Sequence, residues 1–283
     1  IGRTRPHVVA GFGGYAGFIP VAAARLLGVA TAIHEQNSVP GVTNKLLGHV
    51  VDRVFVTYPD PDRAFPPEKT LRLGNPIRQG IAAAGSVPRL VGSRRLLVLG
   101  GSQGARAIND AVLDMLPRLL DAGVKVRLQT GRIDFDRVGA RVAALLAGRR
   151  HGGGEPEVVI ENFIADMAEA YGWADLVLAR AGATTLAEVT AAGRPSLLIP
   201  FPFATHDHQS VNAAFLAAAG AAEVIAQKDL VHFDLAATVT RLLDDPDILG
   251  RMGTAATAAA LPDAADRIAR ALLDLAAHKG GSK

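Results

Sequence analysis

Short apolar runs rich in Val, Leu and Ile alternate with Ala- and Leu-rich stretches along nearly the whole chain. This alternation most limits what the chain can fold into. Runs such as "LLVLG" and "SLLIP" are apolar at consecutive positions rather than at every second one. Strands of that kind are buried on both faces, as in a parallel sheet covered by helices. The pattern predicts strands at His7–Phe12, Ala30–Glu35, Arg53–Tyr58, Arg95–Gly100, Lys125–Gln129, Glu157–Ile160, Leu176–Leu178, Ser196–Pro200 and Ala222–Ala226. It predicts helices at Ala105–Leu120, Arg137–Leu146, Thr185–Ala192 and Gln209–Ala219, and a last one through "DAADRIARALLDLAAH". The fold class is α/β, built from βαβ units.

After "LGNPIRQG" comes "IAAAGSVPRLVGS", a small-residue segment without strong periodicity, and a fresh strand opens at Arg95. The reading places a domain junction there: a first domain and linker over 1–92, a second domain over 93–262, and a carboxyl-terminal helix and tail over 263–283. The first domain has three or four strands and the second about six. Two such domains set ligands in a cleft facing the carboxyl ends of their strands. The 283 residues, 49% hydrophobic and 20% charged, suffice for one large or two medium domains. A formal charge of +3 without runs of like charge excludes a dedicated nucleic-acid binder. The chain has no Cys, hence neither a disulfide framework nor a thiolate metal site. No segment reads as a membrane-spanning helix. The first residue is Ile1 and no signal-peptide pattern follows, so the chain reads as a piece whose natural start is missing.

Three loops carry the chemistry. "GFGGYAG" (Gly11–Gly17) fits G-x-G-x-x-A, with Glu35 about two dozen residues on, the outline of a dinucleotide fingerprint; a tight strand–helix turn explains it equally well. "LGGSQGARAIND" (Leu99–Asp110) lets its backbone approach a ligand closely, offers the Ser102 hydroxyl, and leads into a helix whose N-terminus suits a pyrophosphate. Neither loop ends in the Lys-Ser/Thr of a P-loop, which excludes that route to ATP hydrolysis. Two glycine loops, one per domain, also disfavour a dehydrogenase. "ARAGATTLAEVTAAGRP" (Ala179–Pro195) is expected to start a helix capped by Thr184 or Thr185. Glu188 then has two readings: its two oxygens accept both hydroxyls of a ribose, or it merely complements the helix dipole.

"PFPFATHDHQSVNA" (Pro200–Ala213) crosses from strand to helix with many hydrogen-bonding side chains. Asp207 is expected to cap the helix. His206 and His208 lie two apart, which aligns them on a strand and not on a helix, and no further ligand stands at metal spacing. Gln209 and Asn212 are neutral amides that can bond sugar hydroxyls without desolvating a charge.

"GFGGY", "HEQNSVPGVTNK", "GNPIR", "GGSQGARAIN", "RAGATTLAE" and "HQSVNA" stand in the order and at about the spacing of the MurG family, which the chain resembles from about His7 to the last helix. These are bacterial glycosyltransferases that add N-acetylglucosamine to undecaprenyl-pyrophosphoryl-N-acetylmuramoyl-pentapeptide. The resemblance implies two Rossmann-like domains of the GT-B type, with UDP-N-acetylglucosamine held mainly by the second. It puts Ser102 at the donor phosphates, Ile164 against the uracil, and Ala183, Thr184, Thr185, Leu186, Ala187 and Glu188 along the nucleoside. Arg180 is nearby, Glu188 is on the ribose diol, and Gln209 is on the sugar. Asn37 and Arg78 are offered from the first part of the chain. Gly13, Gly14, Tyr15 and His34 fall on the acceptor side, with His34 as a candidate catalytic group. The implied chemistry is direct displacement with inversion, needing no cofactor and no metal. The implied partners are the nucleotide sugar, the lipid-linked acceptor and the cytoplasmic face of the bacterial inner membrane, touched peripherally.

Two departures stand out. Family members begin with a "GTGGH"-like loop whose His is a candidate principal base, and that loop is not in this sequence. Its lack is expected to cost turnover while sparing donor binding. Thr184 stands where some members have Leu. The rival readings are a UDP-sugar 2-epimerase of the same architecture and a catalytically silent UDP-binding fragment.

Overall fold

A computed structural model describes residues 1, 4–59, 63–86, 92–101, 105–149, 155–204 and 207–280, with residues 279 and 280 by backbone alone. The strands are β1 (Val8–Gly11), β2 (Ala30–Glu35), β3 (Arg53–Val56), β4 (Thr70–Arg72), β5 (Arg95–Leu99), β6 (Lys125–Gln129), β7 (Val158–Glu161), β8 (Leu176–Ala179), β9 (Ser196–Leu198) and β10 (Ala222–Val224). The helices are α1 (Phe18–Leu26), α2 (Val42–Val50), α3 (Ile81–Ala84), α4 (Arg106–Asp121), α5 (Phe135–Leu146), α6 (Met167–Trp173), α7 (Ala183–Ala191), α8 (His208–Ala218), α9 (Leu235–Asp244), α10 (Pro246–Ala259) and α11 (Ala264–Gly280). Each predicted strand lies on an observed one. β4 went unpredicted because it is a three-residue edge strand with two exposed positions, so it lacks the apolar run that marks the others.

The chain forms two compact units, one of residues 1–77 with 261–283 and one of 78–260. The division differs from the sequence reading at both ends. Residues 78–85 join the second unit because α3 packs on α6 and α7 and the Ala84 carbonyl accepts from Arg194 Nη2 at 2.8 Å. The last helix joins the first unit because α11 lies on β1 and β2, with Ile268 buried against Ala32, Phe55 and Leu73. Cutting Ile268 back to Ala would cost about 2–5 kcal/mol in such a core.

The first unit is a parallel four-stranded sheet in the order β1-β2-β3-β4. One face carries the core of Val21, Ile33, Leu47, Val54, Val56 and Phe65. Gly74, from the "GNPIR" motif, sits at φ 92°, and a Cβ there would lie 2.6 Å from Leu261 Cβ. Both the left-handed backbone and the close approach require glycine.

The second unit is a parallel six-stranded sheet in the order β10-β9-β8-β5-β6-β7. α4 buries Ile108, Val112, Leu116 and Leu119 at helical spacing against Leu96, Val98, Val126 and Leu128 of the sheet.

Candidate functional site

The strand order of the second unit has a reversal. The chain moves outward from β5 through β6 to β7, then returns to place β8 on the other side of β5 and moves outward again. The connections after β5 and β8 therefore leave in opposite directions, which opens a crevice at the carboxyl ends of those two strands. The loop after β5 passes through Gly101 at φ 77° and leads to the N-terminus of α4, though Ser102 lies outside the described residues. Asn109 anchors that helix: its buried Nδ2 donates to Thr130 O at 3.0 Å and to Asp134 Oδ2 at 2.7 Å. Asp134 belongs to one of the D-x-D spacings in the sequence and is spent on Asn109 and Arg137. Asp245, in another, caps α10 through the Ile248 N–H. Among the described residues no cluster of His, Asp and Glu could hold a metal ion.

The loop after β8 leads into α7, which starts at Ala183 with Gly182 at the N-cap. Thr184 and Thr185 thus lie inside the helix and neither caps it, contrary to the sequence expectation, because glycine already supplies the extended N-cap backbone at φ −68°, ψ 141°. The N–H groups of Ala183, Thr184 and Thr185 precede the first intrahelical bond, Leu186 N–H to Gly182 O. Ala183 and Leu186 are buried, and Ala187 is half-buried. Glu188 follows one turn later and is only 2% exposed. It does more than complement the dipole. Arg78 Nε donates to Oε1 at 2.9 Å, Arg78 Nη2 to Oε2 at 3.2 Å, and the Tyr171 hydroxyl to Oε2 at 3.2 Å. The bonds to Glu188 hold the Arg78 guanidinium above its usual range. A cleft of about 360 Å³ opens beside Arg78, lined by Gln79, Ile81 and Ala165–Ala168. Ile164, next in sequence, is fully buried.

Arg180 stands at the end of β8. Its Nη1 donates to the carbonyls of Ile199 and Pro200 at 3.0 and 3.1 Å, and its Nη2 to Gln227 Oε1 at 2.6 Å. These bonds explain why β9 stops at Leu198 although the apolar run continues to Pro200. The guanidinium lies 5.4 Å from the Phe201 ring centre, and burial lowers its pKa to about 10. Gln209, in the first turn of α8, accepts the Phe201 N–H at 3.0 Å, so toward a sugar it would offer the Nε2 donor. Asn212 is not available for sugar: it is fully buried and donates to Ala181 O at 3.4 Å. Asp207 holds the N-cap position at φ 52°, but its carboxylate accepts the Ser210 hydroxyl instead of a backbone N–H. His206 lies outside the described residues.

In the first unit, Gly13 and Gly14 have φ 83° and 73°, and Tyr15 after them is 87% exposed. Glu35 is held by its own loop and by α2, which favours the strand–helix turn over the dinucleotide reading. Its carboxylate accepts Asn37 N–H at 3.0 Å, Gly41 N–H at 3.1 Å and Asn44 Nδ2 at 2.8 Å, fixing the loop that carries Asn37. His34 is 2% exposed, packs against Phe12 with ring centres 5.5 Å apart and the planes tilted by 35°, and donates Nε2–H to Gly74 O at 2.9 Å. The geometry is that of a buried strut between β2 and the turn at Gly74. Burial lowers its pKa from 6.5, so folding keeps it neutral. Stability from this group is complete above pH 6.5 and is lost as pH falls from there toward the lower folded value, because only the unfolded chain takes up the proton in that window. His34→Gln, which keeps a donor for Gly74, is expected to lose less thermal stability than the unchanged chain between pH 7.5 and 5.5. Identical losses in a thermal melt would remove the link.

Residues 95–268 match the glycosyltransferase family 28 C-terminal domain, and residues 1–56 match the family's N-terminal domain. The chain belongs to glycosyltransferase family 28. It is similar to a UDP-N-acetylglucosamine--N-acetylmuramyl-(pentapeptide) pyrophosphoryl-undecaprenol N-acetylglucosamine transferase of Solidesulfovibrio magneticus, with 73% identity over 97% of this chain and 75% of that protein. A protein of the same name from Nitratidesulfovibrio vulgaris is 53% identical over 97% of this chain and 74% of its own. The crystal structure of Acinetobacter baumannii MurG superposes with a TM-score of 0.75 at 30% identity, covering 96% of this chain and 75% of that one. A Neisseria meningitidis UDP-GlcNAc 2-epimerase bound to UDP-GlcNAc shares the fold at 13% identity and TM-score 0.63, covering 96% and 78%. This family 28 chain is thus a glycosyltransferase with the GT-B architecture of two Rossmann-like domains.

Proposed function

We propose that the chain transfers N-acetylglucosamine from UDP-N-acetylglucosamine to undecaprenyl-pyrophosphoryl-N-acetylmuramoyl-pentapeptide, with inversion at the anomeric carbon. The observation that carries this reading is the 73% identity, across nearly the whole chain, to a transferase of that name. The site geometry supports it. Glu188 is a buried carboxylate beside the crevice, with acceptor oxygens for a ribose diol. Ile164 and the adjoining cleft are the place for the base, and Gln209 for the sugar. Arg78, Ser102 and the N-terminus of α4 stabilise the leaving diphosphate, while a base takes the proton of the attacking hydroxyl. Asn37 on its clamped loop, with Gly13, Gly14 and Tyr15, belongs to the acceptor side.

The acceptor's lipid requires a membrane surface, and the proposed location is the cytoplasmic face, peripherally. Among the described residues no helix is long and apolar enough to cross a membrane. Ile19, Leu26 and Leu27 are exposed on and just after α1, beside Arg25, a combination suited to lying on anionic lipid. Sedimentation with anionic vesicles tests this part; protein left wholly in the supernatant would count against it.

Incubation with UDP-N-acetylglucosamine and a short-chain lipid acceptor tests the reaction. A lipid-linked disaccharide is the product that marks the transferase, while free UDP-N-acetylmannosamine in its place would mark an epimerase. Gln209→Ala is expected to bind UDP as before but to lose about two- to tenfold of its preference for UDP-N-acetylglucosamine over UDP-N-acetylgalactosamine, the worth of a neutral bond to one hydroxyl. Unchanged donor selectivity, or loss of UDP itself, would remove Gln209 from the sugar.

A further inference from the structure

The bonds to Glu188 can be counted. An ionised carboxylate offers about four acceptor positions, two on each oxygen. Arg78 Nε takes one on Oε1, while Arg78 Nη2 and the Tyr171 hydroxyl take both on Oε2. Among the described residues these are the donors to Glu188, so a ribose diol brings two hydroxyl donors to one remaining position. A nucleoside can therefore bond Glu188 through both hydroxyls only when one of the present donors withdraws.

The two donors differ in their freedom to do so. The Arg78 side chain is 49% exposed and sits on a flexible stem. Tyr171 is fully buried in α6. That helix is held at its start by the Asp166 carboxylate on Glu169 N–H, and near its end by Arg194 Nη2 on Gly172 O at 3.3 Å. Burial, then the neighbouring carboxylate, push the phenol well above its ordinary range, so it remains a donor at neutral pH.

We propose that Tyr171 is a positioning residue for nucleotide recognition: its hydroxyl keeps the Glu188 carboxylate in place while Arg78 yields a position to the ribose hydroxyls. This rests on the reading of Glu188 as the ribose acceptor. Were the Tyr171 hydroxyl merely satisfied by the nearest oxygen, its loss would lower stability and leave recognition of the ribose untouched.

The test compares binding of UDP and 2′-deoxy-UDP by calorimetry. The readout is the preference for UDP, a ratio within one variant, so partial loss of folded protein cancels. The unchanged protein is expected to prefer UDP. Tyr171→Phe is expected to lose about five- to tenfold of that preference, a fraction of what a bond to a charged group contributes. Tyr171→Met, a second side chain without a donor, should lose as much, which separates the hydroxyl from the ring. On a Glu188→Ala background, adding Tyr171→Phe should change the preference no further, because the effect runs through the carboxylate. Full preference in Tyr171→Phe overturns the proposal while leaving Glu188 in its role, as does an equal loss on the Glu188→Ala background. If the unchanged protein binds both nucleotides alike, the reading of Glu188 fails and the proposal fails with it.

Discussion

Glu188→Ala is expected to weaken UDP binding about ten- to a hundredfold, the worth of a charge-assisted hydrogen bond. Ser210→Ala, by contrast, should stay within about twofold, as for a surface change away from a ligand. Both residues stand on helices of the same unit, Glu188 a turn into α7 and Ser210 in the first turn of α8, but their surroundings differ. Glu188 is buried and faces Arg78 and Tyr171. The Ser210 hydroxyl spends itself on Asp207 at 2.6 Å. Calorimetry with UDP decides, and equal affinities for the two variants would remove Glu188 from the ribose.

The larger effect on turnover is expected at Arg78. If its guanidinium moves from Glu188 to the leaving diphosphate, Arg78→Ala lowers kcat by about 10²–10³, as for loss of one donor aimed at developing negative charge. The same variant should separate two ligands. UDP loses a partner for its phosphates, whereas uridine loses only a competitor for Glu188. UDP affinity is therefore expected to fall about tenfold or more while uridine affinity holds or rises. An equal fall for both ligands would place Arg78 in support of the nucleoside and not at the phosphates.

Some of the site could be read directly from the residues. Glu188 stood out as a carboxylate in a strand-to-helix connection, and Gln209 as a neutral amide in the next. Tyr171 gave no such signal. A tyrosine inside "MAEAYGW" looks like any aromatic on the buried side of a helix, and its hydroxyl acquires meaning only from the carboxylate 17 residues away that it meets. Asn212 erred in the opposite direction: its motif suggested a sugar contact, but complete burial gives it to Ala181 O. Glu35 leaves two readings open in the sequence for a related reason. Its position after a glycine loop matches a fingerprint, while two of the donors that occupy it come from the loop that follows β2 and the third, Asn44, from α2.

The sequence alone determined the parallel α/β layers and, among the described residues, the positions of nine of the ten strands, because burial on both faces leaves an apolar run that can be read locally. The glycine loops and the amides at helix starts were local too, since their chemistry depends on the residues beside them. Strand order, the return of α11 to the first unit, and the meeting of Arg78 with Glu188 across 110 positions were decided only in three dimensions. Periodicity records how deeply a residue is buried and carries nothing about which distant residue will face it. A carboxylate's partners, and with them its role, depend on the path the chain takes between them.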